Sequence, residues 1–388
     1  MVKRKVLMTA SVASMIDLFN MDNLQILQDQ GYDIEVAANF KKGSSTSQER
    51  VDEFKTELQN RGIKVYHVPI PRSITDFKNI IISYRILKKL CNRNHYSIVH
   101  TQTPIGGVVT RVAAKEARKN GTNVLYEAHG FHFFKGASPA YWMLFYPIEK
   151  HVSRFTDVLI TINQEDYNRA KTFHAKKVYY VPGIGVDFSK FQFGELERQS
   201  IRREFRIKDD EFLLLSVGQL SKRKNQIVII EAMAKIPDKK IKYLIVGIGE
   251  KEKEFISLIR KLGLQDRVIL AGYRGDIPQI LKAADCFVFP SLQEGLPAAL
   301  MEAMASGVPV ICSKIRGNTD LISDHIDGEV VRKNDIEAYV SRIMNMKNNN
   351  EIAGKYAKSA QKKIQQFSLE CVHGQMDQIY SEMINGSD

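Results

Sequence analysis

A chain of 388 residues is too long for one ordinary compact domain and long enough to bury two cores of roughly 100 to 200 residues each. Hydrophobic residues at 44% and charged residues at 26% exclude disorder as the main state, and no stretch reaches the roughly 18 uncharged apolar residues of a membrane span. The net charge of +12 favours an anionic partner (a nucleotide, a nucleic acid or an acidic membrane surface), and it is concentrated early, with 26 basic against 17 acidic residues before residue 189.

Lys3-Arg4-Lys5 and the run 6–15 have the charge order of a targeting segment, but Thr9, Ser11 and Ser14 dilute the run and Asp17 closes it. The segment reads as a first strand and loop. Short β-branched runs then alternate with helix-length amphipathic sequence, the pattern of parallel sheets covered by helices. Strands are expected at 6–10, 34–38, 65–68, 98–101, 124–128, 158–162 and 178–181. Pro182-Gly183-Ile184-Gly185-Val186-Asp187 breaks the rhythm and reads as a hinge. A second series follows at 213–217, 243–246, 268–271, 286–289, 310–312 and 329–331. Beyond Val331 only helical patterns remain, and the last carries a stripe of Val372, Met376, Ile379, Tyr380 and Met383 that must cover an apolar surface. The expected domains are 1–187, with a helix over about 367–388 returning to it, and 188–366. Cys91, Cys286, Cys312 and Cys371 lie far apart with no C-x-x-C pair, which fits a reducing cytoplasm and no structural zinc.

The chemistry concentrates at strand ends. Phe289 to Gly307 reads as strand, loop and short helix, with Pro297 suited to the first helical turn and Gly307 to the cap. A helix start at a strand's carboxyl end offers free N–H groups to a phosphate, and Glu294 and Glu302 suit the hydroxyls of ribose and sugars. Gly218-Gln219-Leu220-Ser221-Lys222-Arg223-Lys224-Asn225 follows another strand, and its three cations can balance a diphosphate. No Asp-x-Asp occurs, so the commonest carboxylate pair for a metal-bound nucleotide sugar is missing and fixed cations must serve. Gly247-Ile248-Gly249 is no dinucleotide site, because Glu252 holds the third glycine position within an acidic run. In the first half, His129 ends a strand beside Gly130 and could face a cleft, whereas His132 reads as a packing or capping residue.

At these residues the chain resembles the retaining glycosyltransferases of family 4, the group 1 transferases with the GT-B fold. Glu294 and Glu302 match the family's two glutamates separated by seven residues, with Gly295-Leu296-Pro297 and the run from Glu302 to Val310 around them. Gly185-Val186-Asp187, Gly247-Ile248-Gly249-Glu250, Gly272-Tyr273 with Asp276, 284–291 and Gly328 follow in the family's order. Ala128-His129-Gly130-Phe131-His132-Phe133 and 102–107 look most like the bacterial capsule and exopolysaccharide transferases.

The resemblance implies two Rossmann-like domains with parallel sheets facing across a cleft, the second binding a UDP-sugar and the first a lipid-linked saccharide acceptor. It implies His129, Lys224 and Glu294 as catalytic residues: His129 and Glu294 on the donor sugar, Lys224 on the diphosphate. Donor binding falls to Gly218, Gln219, Arg223, Tyr273, Arg274, Gly295, Leu296, Pro297 and Ala298, and to Glu302 on the ribose, with no metal and no cofactor. The family's usual arginine after the first glycine is Gln219 here, so Arg223 or Lys222 must replace that cation. A front-face substitution with retention is expected. The rival readings are a UDP-sugar epimerase of the same architecture and a non-enzymatic basic membrane-binding scaffold; nothing resembles a nucleic-acid-binding motif.

A lipid-linked acceptor requires the enzyme to work at the inner face of the membrane, in the cytoplasm. Phe131, Phe133, Phe134, Tyr141, Trp142, Phe145 and Tyr146, together with Lys135, Lys150 and Arg154, are expected to form a patch for an anionic surface. Arg85, Lys88, Lys89 and Arg93, after Ile80-Ile81-Ile82, would extend it.

Overall fold

Most strands come from runs of apolar and β-branched residues that are buried along nearly their whole length, as parallel strands covered on both faces require, whereas the strands at 64–67, 177–180 and 268–272 are largely half-buried or exposed. The computed structural model describes residues 4–385. Lys3 of the basic start and residues 386–388 of the expected last helix lie outside the described residues.

The first sheet comprises β1 (Lys5–Thr9), β2 (Asp33–Ala38), β3 (Lys64–His67), β4 (Ile98–Gln102), β5 (Asn123–Ala128), β6 (Val158–Thr161) and β7 (Lys177–Tyr180). The second comprises β8 (Phe212–Val217), β9 (Ile241–Val246), β10 (Val268–Gly272), β11 (Cys286–Phe289), β12 (Val310–Ser313) and β13 (Glu329–Val331). The spatial orders are β3-β2-β1-β4-β5-β6-β7 and β10-β9-β8-β11-β12-β13, and all pairings are parallel. Contacts divide the chain into a first unit, 1–184 with 370–388, and a second unit, 185–369. Each is a doubly wound α/β fold, the architecture of the GT-B class.

The alternation of side chains along a strand supplies both faces of each sheet. Val6, Met8 and Ala10 enter one core cluster of the first unit, and Leu7 enters the other. Leu213 and Leu215 likewise face one cluster of the second unit and Leu214 the opposite one. The last helix, Leu369–Asn385, lays Val372, Met376, Ile379, Tyr380 and Met383 into the cluster that holds Val6 and Met8. Each such buried side chain contributes about 1.5–3 kcal/mol relative to exposure. Among the described residues no helix is long and apolar enough to cross a membrane.

Candidate active site

Both sheets reverse direction beside their first strand, between β1 and β4 in one unit and between β8 and β11 in the other. At such a reversal the connections leave on opposite faces and open a crevice at the carboxyl ends of the strands. In the second unit the two loops bordering that crevice are those that follow β8 and β11, which carry Lys224 and Glu294.

The two loops are stitched together. Leu292 N–H donates to the Arg223 carbonyl at 2.8 Å, and Asn225 Nδ2 donates to the Pro290 carbonyl at 3.1 Å. Asn225 has a left-handed backbone (φ 57°), a conformation asparagine tolerates better than most residues. The stitching brings Lys224 Nζ to 2.8 Å from Glu294 Oε1 and Arg223 Nη1 to 2.8 Å from Glu294 Oε2. Lys224 runs past Gly218, where an added Cβ would stand 3.2 Å from Lys224 Cε, and its ammonium lies 4.7 Å from the Phe289 ring centroid. Burial pulls the Lys224 ammonium below its usual range, and Glu294 opposes the shift. Arg223 is the second cation at this carboxylate. Lys222 and Gln219 are exposed, and the Gln219 carbonyl accepts from Gln226 Nε2 at 3.1 Å.

After Glu294 the chain crosses Gly295 and Leu296 and enters the helix Ala298–Ala305. Pro297 is the residue before that helix, with extended backbone (ψ 114°), and not part of its first turn as expected. No side chain caps the helix, so the N–H groups of Ala298 and Ala299 have no acceptor among the described residues. Gly307 ends it in the left-handed conformation (φ 71°), as a C-terminal glycine does.

Glu302 projects from this helix, half-buried, and its carboxyl has no hydrogen-bond or ion-pair partner among the described residues. Burial raises its pKa above the ordinary carboxylate range, with Lys190 pulling the other way. The folded unit therefore holds the Glu302 proton more tightly than the unfolded chain does. The buried charge costs stability above the raised pKa, and the cost disappears as pH falls below the ordinary one. Hydroxyl donors from a ligand would lower the pKa again. A ligand whose hydroxyls donate to Glu302 is therefore expected to bind more weakly as pH falls through the raised pKa of Glu302, with the affinity levelling off above it and a proton released on binding. Calorimetric titration of a ribose-bearing nucleotide across that range checks this, and Glu302→Gln should flatten the profile.

Three glycines bring neighbouring loops into contact. A Cβ on Gly247 would stand 2.1 Å from the Gly218 carbonyl oxygen, one on Gly249 2.2 Å from that of Leu220, and one on Gly317 2.3 Å from that of Gly295. Gly247 and Gly249 thus seat the loop after β9 against the loop after β8, in place of the dinucleotide role rejected above. Tyr273 is 78% exposed. The Arg274 side chain is held by Asp276 at 2.6 Å and by Glu204, so at this position the backbone is what remains for recognition.

In the first unit, His129 follows β5 with its side chain one-fifth exposed. His129 Nε2 lies 3.4 Å from Glu127 Oε1, His100 Nε2 lies 3.3 Å from Glu127 Oε2, and His100 Nδ1 is 2.9 Å from the Tyr380 hydroxyl. A buried carboxylate thus sits between two imidazoles, the far one anchored by the returning last helix. Burial drives the His129 imidazole below its usual range against the pull of Glu127. For Glu127 burial works upward, but the two imidazoles outweigh it and hold the carboxyl below its usual range. Sequence reasoning gave Glu127 and His100 no role and Tyr380 only a packing one. The one available signal was Glu127 two residues before His129, on the same face of a strand.

The crevice between β1 and β4 holds a groove of about 660 Å³ bordered by Ser11, Ser14, Ser45, Arg72 and Thr103. Thr103 has an unusual left-handed backbone (φ 67°), and its hydroxyl oxygen accepts from Ser11 N–H at 3.1 Å. His132 packs as expected, its ring 4.7 Å from that of Phe145. The expected aromatic patch needs correction: Phe131, Phe133 and Phe134 are core residues, at most 9% exposed, and Trp142 is half-buried beneath the Arg169 guanidinium, 4.3 Å away. Tyr141 is exposed as expected, and the other exposed apolar side chains here are Met143, Leu144 and Ile148, with Phe77 and Ile81 on the helix Phe77–Asn94.

Asp324, His325 and Glu329 gather ligand-type atoms within 4.8 Å on the second unit. Glu329 is already paired with Arg342 at 3.1 Å and the other two are exposed, so the group is an ion-pair cluster.

Residues 197–363 match the model of the glycosyl transferases group 1 family, and residues 5–163 match that of the glycosyl transferase 4-like family. EpsD of Bacillus subtilis, a protein named for a glycosyltransferase, is 35% identical over 97% of this chain and 96% of its own. The UDP-Gal:alpha-D-GlcNAc-diphosphoundecaprenol alpha-1,3-galactosyltransferase of Escherichia coli is 31% identical over 74% of this chain and 76% of its own. Among solved structures, HepE of Anabaena, in complex with UDP and glucose, superposes with a TM-score of 0.77 at 20% identity, covering 98% of this chain and 100% of that one.

Proposed function

We propose that this chain, which belongs to the group 1 glycosyltransferases, moves a sugar from a UDP-sugar to a lipid-linked saccharide in exopolysaccharide synthesis, with retention of configuration and without a metal. The observation that carries the donor reading is the convergence of Lys224 and Arg223 on Glu294 at the strand reversal of the second unit, on the loop that leads into the helix bearing Glu302. The UDP and glucose bound by HepE support the donor class, and the Escherichia coli relative's diphosphoundecaprenol substrate supports the acceptor class.

In this reading Lys224 and Arg223 turn from Glu294 to the donor diphosphate, and the free N–H groups at Ala298 and Ala299 face the same charge. Arg223 replaces the cation missing at Gln219. Glu302 accepts from the ribose hydroxyls, the backbone of Tyr273 and Arg274 meets the base, and Glu294 accepts from the donor sugar. His129 also binds the sugar, its ring set by Glu127. As the glycosidic bond breaks, charge builds on the leaving phosphate, where fixed cations in a partly dehydrated loop stabilise it without reorganising. That phosphate takes the acceptor's proton on the face where the sugar is attacked, which retains configuration. Turnover in excess EDTA is expected to match turnover in Mg²⁺. Loss of activity in EDTA with recovery on adding Mg²⁺ or Mn²⁺ would assign the diphosphate to a metal.

The lipid-linked acceptor brings the enzyme to the inner face of the membrane. The face we assign to the membrane is the corrected one: exposed Phe77, Ile81, Met143 and Leu144, with Lys78, Arg85, Lys88 and Lys89 on the helix Phe77–Asn94. Each cation near an anionic surface contributes about 1 kcal/mol. Binding to vesicles containing phosphatidylglycerol should weaken with salt and fall in Met143→Glu and Phe77→Glu. Equal binding to neutral vesicles would reduce the charge of this unit to a solubility feature. Trp142 is half-buried, so its fluorescence is expected to stay unshifted on binding.

A further inference from the structure

We propose that an apolar cavity in the first unit holds the isoprene unit adjoining the diphosphate of the acceptor, so that the enzyme reads lipid as well as sugar. The inference rests on the lipid-linked acceptor reading above and specifies where that lipid begins. The cavity, of about 120 Å³, adjoins the hydroxyl-bearing groove between β1 and β4, and the two share Ile74, Pro104, Ile105, His132 and Phe145 in their walls.

The two compartments differ in chemistry: the cavity walls are almost wholly apolar, whereas the groove, itself walled in part by Val12, Met15 and Phe19, adds hydroxyls and a cation. The groove presents the hydroxyls of Ser11, Ser14, Ser45 and Thr103 and the guanidinium of Arg72, groups that suit a sugar and a diphosphate. The cavity is walled by Ile80, Val108, Val109, Phe133 and Ile148, among others. Its one acidic wall residue, Glu149, is already engaged: Oε2 accepts from Arg111 Nη2 at 2.6 Å, and Oε1 lies 3.4 Å from the Tyr126 hydroxyl. The His132 and Phe145 rings, stacked at 4.7 Å, line both spaces.

A void lined by aliphatic and aromatic side chains costs a fold stability unless something fills it, and an apolar pocket beside a few convergent polar groups is the usual form of a ligand site. An apolar cavity of about 150 Å³ accepts benzene, so this one suits a branched unit of roughly five carbons. Ile74 and Ile148, 40% and 38% exposed, stand among its wall residues and give later isoprene units an apolar way out. A ligand with its diphosphate at Arg72 and its first branched carbons in the cavity satisfies both compartments at once.

The test is calorimetric binding of citronellyl diphosphate and methyl diphosphate to the full chain, with excess UDP present to occupy the donor loops. At about fourfold per buried CH₂, the wild type is expected to prefer the citronellyl compound by on the order of 10²-fold. Val108→Phe, which fills the cavity, and Ile148→Glu, which places a charge at its wall, should each cut that preference to a few-fold while leaving methyl diphosphate binding within about twofold. Arg72→Ala should weaken both compounds equally. Circular dichroism identifies any variant that has not folded, and the exposed position of Ile148 keeps a second variant in play. Equal binding of the two compounds by the wild type, or an undiminished preference in both folded variants, overturns the cavity assignment and leaves the diphosphate acceptor standing. If neither compound binds, both readings fall.

Discussion

Lys224→Ala and Glu294→Ala are each expected to lower kcat by on the order of 10²-fold or more, the loss seen when one preorganised transition-state contact is removed. Lys224 is the better buried of the two cations, with its side chain 13% exposed against 45% for Arg223. Its charge acts through a lower effective dielectric, so Arg223→Ala should cost less than Lys224→Ala. The glutamate variant carries a second signature. Glu294 opposes the burial that lowers the Lys224 pKa, so removing it lets the ammonium lose its proton at lower pH. In Glu294→Ala the alkaline fall of the rate profile should begin earlier than in the wild type. Steady-state rates against pH, with circular dichroism as a control for folding, measure both effects. Near-normal turnover in both folded variants would remove these residues from the site.

Gly247→Ala should be the most damaging of the loop substitutions. Its Cβ would sit 2.1 Å from the Gly218 carbonyl oxygen, and the backbone there is at φ 142°, a region side-chain-bearing residues rarely adopt. Strain and overpacking together should cost about 3 kcal/mol or more. That corresponds to a fall of about 6 °C or more in the melting transition of the second unit. The loops after β8 and β9 must separate to admit the methyl group, so UDP affinity should fall with it. Gly263→Ala meets no atom within 4 Å, although its φ of 65° is also positive. It therefore carries the backbone strain alone and separates the two costs. Equal melting temperatures for the two variants would mean that the close approach of the loops contributes nothing.

The strands were legible because parallel strands buried on both faces are short, almost continuous apolar runs. Each expected strand lies within a residue or two of an observed one. Their spatial order was not legible. That Lys224 and Glu294, 70 positions apart, lie on the two loops beside one strand reversal follows from β8 pairing with β11, which no local pattern encodes. Family resemblance placed both in one site, whereas the fold gives the physical reason. The chain from Tyr380 through His100 and Glu127 to His129 was hidden for the same reason, since Tyr380 arrives on a helix 280 residues after His100. The aromatic run after β5 misled in the opposite direction. Interleaved cations made it read as surface, yet Phe131 and Phe133 stack at 4.8 Å and pack on Phe173. Pro297 sits one residue earlier than expected relative to its helix, the ordinary uncertainty of an element boundary.

The most direct test of the account is a panel of UDP-sugars incubated with the purified enzyme and a diphosphate-linked saccharide acceptor. UDP release is followed, and the product anomer is read by NMR. One UDP-sugar is expected to be consumed in an acceptor-dependent reaction that Lys224→Ala slows by on the order of 10²-fold or more, and the new linkage is expected to keep the donor's anomeric configuration. An inverted linkage, or conversion of the UDP-sugar to its epimer with no acceptor present, would contradict it.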